Sequence, residues 1–267
     1  MSLPVFDLEG KEVGKIELPK VFSLNVREDL IERAFWILFT HRLQPKGTDP
    51  LAGERTSAES RGTGLGIARL ARVKGERHPR AGQAAGVAGV VKGRIAHPPK
   101  AEKVIRKEIN KKERLLALAH AIAATSKRDL VKKRGHRIDN VKALPIVVTD
   151  EIQKVKKAKE LASLLEKLGL KEEMERIKKG IKRTSGTSRR RGRTKKVPKG
   201  PLLVIKEDEG IVKACGSLAG VDCVKVKDLS VLDLAPGGKG GRLTIWSESA
   251  IKNINEKIYK LPALIGV

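Results

Sequence analysis

Aromatic side chains are scarce in this 267-residue chain, with four Phe, two Trp and one Tyr. None falls between His41 and Ile245. That gap disfavours RRM-like and OB-like modules, which stack single-stranded bases on aromatic platforms. Cysteine is scarcer still. Cys215 and Cys223 are too few and too widely spaced for a metal knuckle, and each sits beside apolar residues as a small core side chain would. No run of about 18 apolar residues exists, so no helix is expected to span a bilayer. The opening stretch MSLPVFDLEGKEVGK lacks the basic and apolar regions of a signal peptide, and a cytosolic protein is expected. Asn, Gln, Cys and Met are sparse while Lys and Glu are common, a balance that leans toward a thermophile. Catalytic patterns are missing as well. No pair among His41, His78, His97, His120 and His136 has the i, i+4 spacing of a helical metal site. No serine sits in a nucleophile elbow, and there is neither a zinc finger nor a heptad-linked basic helix. No cofactor is expected.

Negative charge is also in short supply. Lys and Arg number 57 against 31 Asp and Glu, a net charge of +26. Self-repulsion on that scale destabilises a compact state, and a polyanionic partner compensates it. Nucleic acid is the first candidate and an anionic membrane surface the second. The charge is unevenly spread. From Pro45 to Lys100 there are ten glycines, eleven Lys or Arg and four acidic residues. Residues 178–199, KKGIKRTSGTSRRRGRTKKVPK, hold eleven Lys or Arg and no acid. The last 68 residues are close to balance, with nine basic and eight acidic side chains.

The remaining sequence is that of a folded body. Residues 3–22 read as a β-hairpin around a Glu-Gly-Lys turn. Residues 26–43 read as a helix, with Leu30, Ile31, Ala34, Phe35 and Leu38 on one face. Ile37 and Phe39 widen that face, so burial on more than one side is expected. Asn110 and Glu113 have capping-box spacing ahead of an apolar helix carrying Leu115, Leu118, Ala119 and Ile122. A strand at 145–148 precedes a helix expected to run from Asp150, with Gln153 as capping partner, to a stop at Gly169. Further strands are expected at 202–205, 223–226 and 243–246, each followed by a helical segment, the clearest at 248–259. Strands alternating with helices predict an α/β fold: a mostly parallel sheet covered by helices. The body, residues 1–44 and 101–267, then carries a long extended glycine- and arginine-rich internal loop (45–100) and a second basic arm (178–199).

An enzyme has to be weighed, because open parallel sheets bind ligands beyond the carboxyl ends of their strands. Asp150, Asp208, Asp228 and Glu248 fall there and could hold Mg²⁺ for phosphoryl transfer, making a nucleotide-binding enzyme the alternative function. The competing reading, that these carboxylates cap helices, is favoured. RGTGLGIAR (61–69) and APGGKGGR (235–242) are partial glycine-rich phosphate loops that match neither established spacing. Both are better read as backbone that turns or approaches something closely.

RNA binding accounts for the two insertions. Lys and Arg on flexible backbone follow an irregular phosphate surface, and counterion release supplies the affinity. Arg adds bidentate phosphate contacts. Candidate RNA-binding residues on the loop are Arg55, Arg61, Arg69, Arg72, Lys74, Arg77, His78, Arg80, Lys92 and Arg94. On the arm they are Lys182, Arg183, Arg189, Arg190, Arg191, Arg193, Lys195 and Lys196. The expected mode is recognition of a folded RNA by shape and backbone. A free-standing binder of duplex DNA is a third reading.

Several stretches carry a resemblance. LAGERTSAESRGTGLGIARLARVKGERHPRAGQ, KGRIAHPP, KRGHRIDNVKALPIVVTDE and LAPGGKGGRLTIWSESA together resemble the large-subunit ribosomal protein L-four family, in its archaeal and eukaryotic branch. The likeness covers nearly the whole chain. The long C-terminal tail of eukaryotic members is missing, which points to an archaeal member. The resemblance implies a non-enzymatic, cytoplasmic constituent of the large ribosomal subunit, with an α/β body outside and a loop buried in ribosomal RNA. It also implies a loop tip at the nascent-peptide exit tunnel, where the family forms a constriction with ribosomal protein L-twenty-two. Carried over here, the tip lies within residues 70–83, with Arg72, Lys74, Gly75, Arg77 and Arg80 near RNA or the tunnel wall. No membrane and no small-molecule substrate is implied.

Overall fold

The structure is a computed structural model and describes residues 2–257. Among them, residues 2–40 and 108–257 form one compact unit and His41–Lys107 another.

The first unit is built on a six-stranded sheet. β1 (Ser2–Phe6) pairs with β2 (Glu12–Glu17) antiparallel. β3 (Ile146–Val148), β6 (Leu202–Ile205), β7 (Asp222–Lys225) and β8 (Thr244–Ser247) join in parallel. The strand order is β2-β1-β3-β8-β6-β7. β3 and β6 are continuous apolar runs and every residue of β8 is buried, because both faces of the sheet are covered. Alternate side chains therefore enter different cores. Val147, Leu202, Val204 and Trp246 pack with α1 (Glu28–Thr40), α2 (Lys111–Ser126), the short α8 (Val231–Leu234) and α9 (Glu248–Lys257). Ile146, Val148, Leu203, Ile205 and Ile245 pack with α3 (Arg128–Lys133), α4 (Ala158–Lys167), α5 (Lys171–Lys179) and α7 (Ile211–Ser217). Trp246 is fully enclosed. Its ring meets Phe22 edge-on at 5.7 Å, and its Nε1–H donates to the Thr244 hydroxyl at 3.0 Å.

Three local expectations give way. α1 buries a single stripe, Ile31, Ala34 and Phe35, and leaves Trp36 and Phe39 exposed, so it is not buried on more than one side. Phe35 stacks on Phe39 at 5.9 Å, so the aromatics partly cover one another. Asn110 is the N-cap of α2, but its side chain makes no capping bond, and Glu113 pairs with Arg33 at 3.1 Å instead. The helix expected from Asp150 to Gly169 is broken. A 3-10 turn over Asp150–Lys154 ends at extended Val155, and α4 begins three residues later. The expected partners do meet, side chain to side chain, with Gln153 donating to Asp150 at 3.1 Å, and Gln153 also accepts from the Glu207 amide at 3.0 Å. Of the helix expected over 248–259, residues 258 and 259 lie outside the described residues.

Candidate nucleic-acid interface

Within His41–Lys107 only one side chain, Ala85, is buried. Leu51, Leu65, Ile67, Leu70, Val91, Ile95 and Val104 are all exposed. Burial on this scale cannot offset the entropy of ordering so long a segment, and backbone pairing supplies what order there is. The stretch 71–73 runs between two neighbours, with Arg72 bridging antiparallel to Glu59 on one side and Ala84 on the other. The Glu59 and Arg72 amides exchange bonds of 3.1 and 3.0 Å, the Val73 amide donates to Gln83 at 2.9 Å, and the Ala85 amide donates to Ala71 at 2.9 Å. The hairpin closes through a turn in which the Ala81 amide donates to the His78 carbonyl at 2.8 Å and the Arg80 amide to His78 Nδ1 at 3.1 Å. Gly75 and Gly82, at φ of +109° and +71°, take the left-handed backbone the turn requires.

The cations of this unit fall into two sets. Some are engaged within it. The Arg72 guanidinium donates to the Gly82 carbonyl at 2.8 Å, and its Nε–H is enclosed without an acceptor. Lys74 pairs with Glu59 at 2.5 Å, Arg94 with Glu54 at 3.6 Å and Arg55 with Asp49. Arg61, Arg69, Arg77, Arg80 and Lys92 have no ion-pair partner among the described residues, and all but the half-buried Arg80 are exposed. Arg77 and His78 stand at the turn of the hairpin, flanked by Glu76 and Pro79.

The second cationic segment leaves the body after α5. A two-residue ladder, β4 (Lys182–Arg183) with β5 (Lys195–Lys196), carries the one-turn helix α6 (Gly186–Arg190) between its strands. Lys182 lies opposite Lys196 and Arg183 opposite Lys195. Like charges directly opposed destabilise a ladder, so these four side chains favour an anion between or beside them. Arg189, Arg190, Arg191 and Arg193 are likewise exposed.

The root of this segment is held by buried charge. Glu173 is fully buried and accepts from Arg176 at 2.7 and 2.8 Å, from His136 Nδ1 at 2.7 Å and from the Arg137 amide at 2.9 Å. Burial alone raises its pKa. The Arg176 and His136 hydrogen bonds outweigh that and hold the carboxylate at about 2. Burial pushes the His136 imidazole below its ordinary value despite the carboxylate, with Arg176 and Arg134 adding to the depression. Arg176 also donates to the Lys199 carbonyl at 2.9 Å and accepts the Gly180 amide on its own carbonyl at 3.0 Å, so it touches both ends of the arm. Lys199 Nζ reaches Asp222 at 2.7 Å, and the same carboxylate oxygen accepts from buried Arg242 at 2.6 Å. None of these root residues was a sequence candidate. The one available signal was the i, i+3 spacing of Glu173 and Arg176, which is common on solvated helices.

The carboxylates of the alternative reading are occupied or scattered. Asp150 accepts from the amide and hydroxyl of Ser249 at 3.0 and 2.6 Å. Asp208 accepts from the Gly210 and Val212 amides at the start of α7. Asp228 lines a different recess, beside Leu229 and Ser230, and Glu248 pairs with Lys252 at 2.6 Å. No group of three or more His, Cys, Asp or Glu among the described residues is arranged to hold a metal ion, and no helix among them is long and apolar enough to cross a membrane. Cys215 is buried and Cys223 half-buried, both as free thiols. A hydrogen bond from Cys215 together with burial pushes the Cys223 thiol up, the reverse of a reactive thiolate.

Comparison with known proteins matches residues 16–257 to the ribosomal protein L4/L1 family. The chain is 47% identical to the large ribosomal subunit protein uL4 of Methanopyrus kandleri, over 97% of this chain and 99% of that one. It is 46% identical to the protein of that name from Methanococcus aeolicus, over 96% and 100%, and 48% identical to that of Sulfurisphaera tokodaii, over 95% and 93%. With residues 16–257 matched and near-complete coverage of archaeal relatives, the chain belongs to the ribosomal protein L4/L1 family, whose members are structural proteins and not enzymes.

Proposed function

We propose that the chain is a structural constituent of the large ribosomal subunit that binds ribosomal RNA through two segments, the loop 45–100 and the arm 178–199. In this reading the α/β body is the anchor, and the hairpin tip within residues 70–83 lies along the peptide exit tunnel beside the protein L-twenty-two. Arg77 and His78 are the side chains best placed to meet RNA or the tunnel lumen, because Arg72 and Lys74 are engaged inside the hairpin.

The observation that carries the reading is the make-up of His41–Lys107: a single buried side chain in a segment rich in unpaired cations. Such a segment completes its desolvation and charge balance only on a large polyanion. The relatives' shared name, large ribosomal subunit protein, supports ribosomal RNA as that polyanion. Competition between structured ribosomal RNA and duplex DNA for the purified chain tests it. Structured RNA is expected to displace duplex DNA at equal nucleotide concentration. Displacement in the opposite direction overturns the assignment in favour of a DNA binder.

A further inference from the structure

Arg242 and Arg176 both lie close enough to Arg134 for their charges to disfavour its own. Arg176 is compensated by Glu173 and Arg242 by Asp222. Arg134 has no carboxylate. It donates only to backbone oxygens, that of Pro236 at 2.6 Å and that of Lys239. Burial, then Arg242 and Arg176, lower its pKa to about 10, so it stays charged at neutral pH with two carbonyls as hydrogen-bond acceptors and no counter-charge among the described residues. Its surroundings are cationic. Arg134 shares a recess with Lys133, Lys239, Gly240, Leu130 and Glu28. Glu28, the one acid lining it, lies 3.7 Å from Lys133 Nζ. Lys239 is exposed and has no ion-pair partner among the described residues.

The glycine run fixes this arrangement. Gly241 has φ of +83°, and a Cβ there would lie 2.8 Å from the Leu130 backbone. A Cβ on Gly240 would lie 3.0 Å from Ala124 Cβ. Only glycine lets the loop 235–242 press onto α2 and α3, and that closeness brings the Pro236 and Lys239 carbonyls onto the Arg134 guanidinium. The loop spends two acceptors on Arg134 and places a lysine beside it. A segment whose sole task was to turn would need neither.

We propose that Arg134, Lys133 and Lys239 form a phosphate-binding site on the body, separate from the loop and the arm, whose ligand is a phosphodiester group of the bound RNA. The proposal rests on the RNA-binding reading above and extends it to the body. The planar fork of Arg134 retains donors beyond the two carbonyls it serves, and the two ammonium groups add charge that needs no fixed geometry.

The experiment measures the salt dependence of binding between the full chain and large-subunit ribosomal RNA transcribed in vitro. It compares the wild type, the exposed-surface double variant Lys133→Ala/Lys239→Ala, and the arm variant with Arg189, Arg190, Arg191 and Arg193 changed to Ala. Two lost phosphate contacts should reduce the log–log slope of the body variant by about 1.5. An unchanged slope in the body variant, with a reduced slope in the arm variant, overturns the site and leaves the RNA reading standing. A wild type without salt-dependent binding removes the RNA reading itself. Phosphate sources are separated by following the Arg134 Nε–H resonance: a shift on adding RNA supports the proposal, whereas a shift with inorganic phosphate and none with RNA overturns it.

Discussion

Glu173 shows how much rests on single side chains in this protein. It is a carboxylate with no exposure, held by Arg176, His136 and the Arg137 amide. Glu173→Ala leaves Arg176 without its counter-charge at the root of the arm and should cost about 3–5 kcal/mol, read as a fall in the urea midpoint. The same cluster sets an acid limit. Both groups have folded pKa values below their unfolded ones, so the unfolded chain binds more protons as pH falls, and stability is lost in that direction. His136 contributes the loss from its ordinary value of 6.5 downward, and Glu173 contributes from 4.5 down to about 2. Urea midpoints should therefore decline steadily below neutral pH. In a His136→Gln variant the upper part of that decline should flatten, and an unflattened profile would exclude His136 as its source. Arg72 belongs to this scale as well. Its charged head is spent on the Gly82 carbonyl, so Arg72→Ala should raise protease sensitivity between residues 71 and 85 more than Arg77→Ala does.

At the scale of elements, the sheet was the most legible feature. β3 and β6 are apolar runs because both faces are covered, and that pattern survives without knowledge of what covers them. The failures share a cause. A period identifies a helix but does not say which neighbours exist, so Ile37 and Phe39 read as widening the buried face although Phe39 stays exposed and Ile37 only half-buried. Asp150 and Gln153 have capping spacing and do bond, yet the turn they start ends at extended Val155, and both also bond to distant residues, Ser249 and Glu207, which the spacing could not show. In the loop, cations were legible as a class, but the division between engaged and unpaired ones was not. It depends on the pairing of residues 59, 72 and 84, which has no periodic signature. That pairing should govern cleavage. In the free protein, limited proteolysis should strike first around Gly62–Gly66 and Val87–Arg106, sparing the paired stretch 71–85, and early cuts within that stretch would show that the hairpin needs RNA to form. For the arm, neutralising Arg189, Arg190, Arg191 and Arg193 together should lower the salt slope for ribosomal RNA by about 3.

For the whole molecule, charge is the organising quantity. A net charge of +26 would destabilise any compact chain. Here much of the excess is carried by segments that bury almost nothing, while the sheet and its helices form two apolar cores. On the proposed reading, folding of the body and binding of a polyanion are thereby separated: one is hydrophobic and local to the sheet, the other electrostatic and carried mainly by the loop and the arm. The measurement that bears most directly on this division is co-sedimentation with large ribosomal subunits stripped of the native protein. After a high-salt wash the full chain should remain with the subunit, and a chain lacking residues 45–100 and 178–199 but folded by circular dichroism should be released. Retention of the shortened chain to the same extent as the full one would contradict the assignment of binding to the two segments.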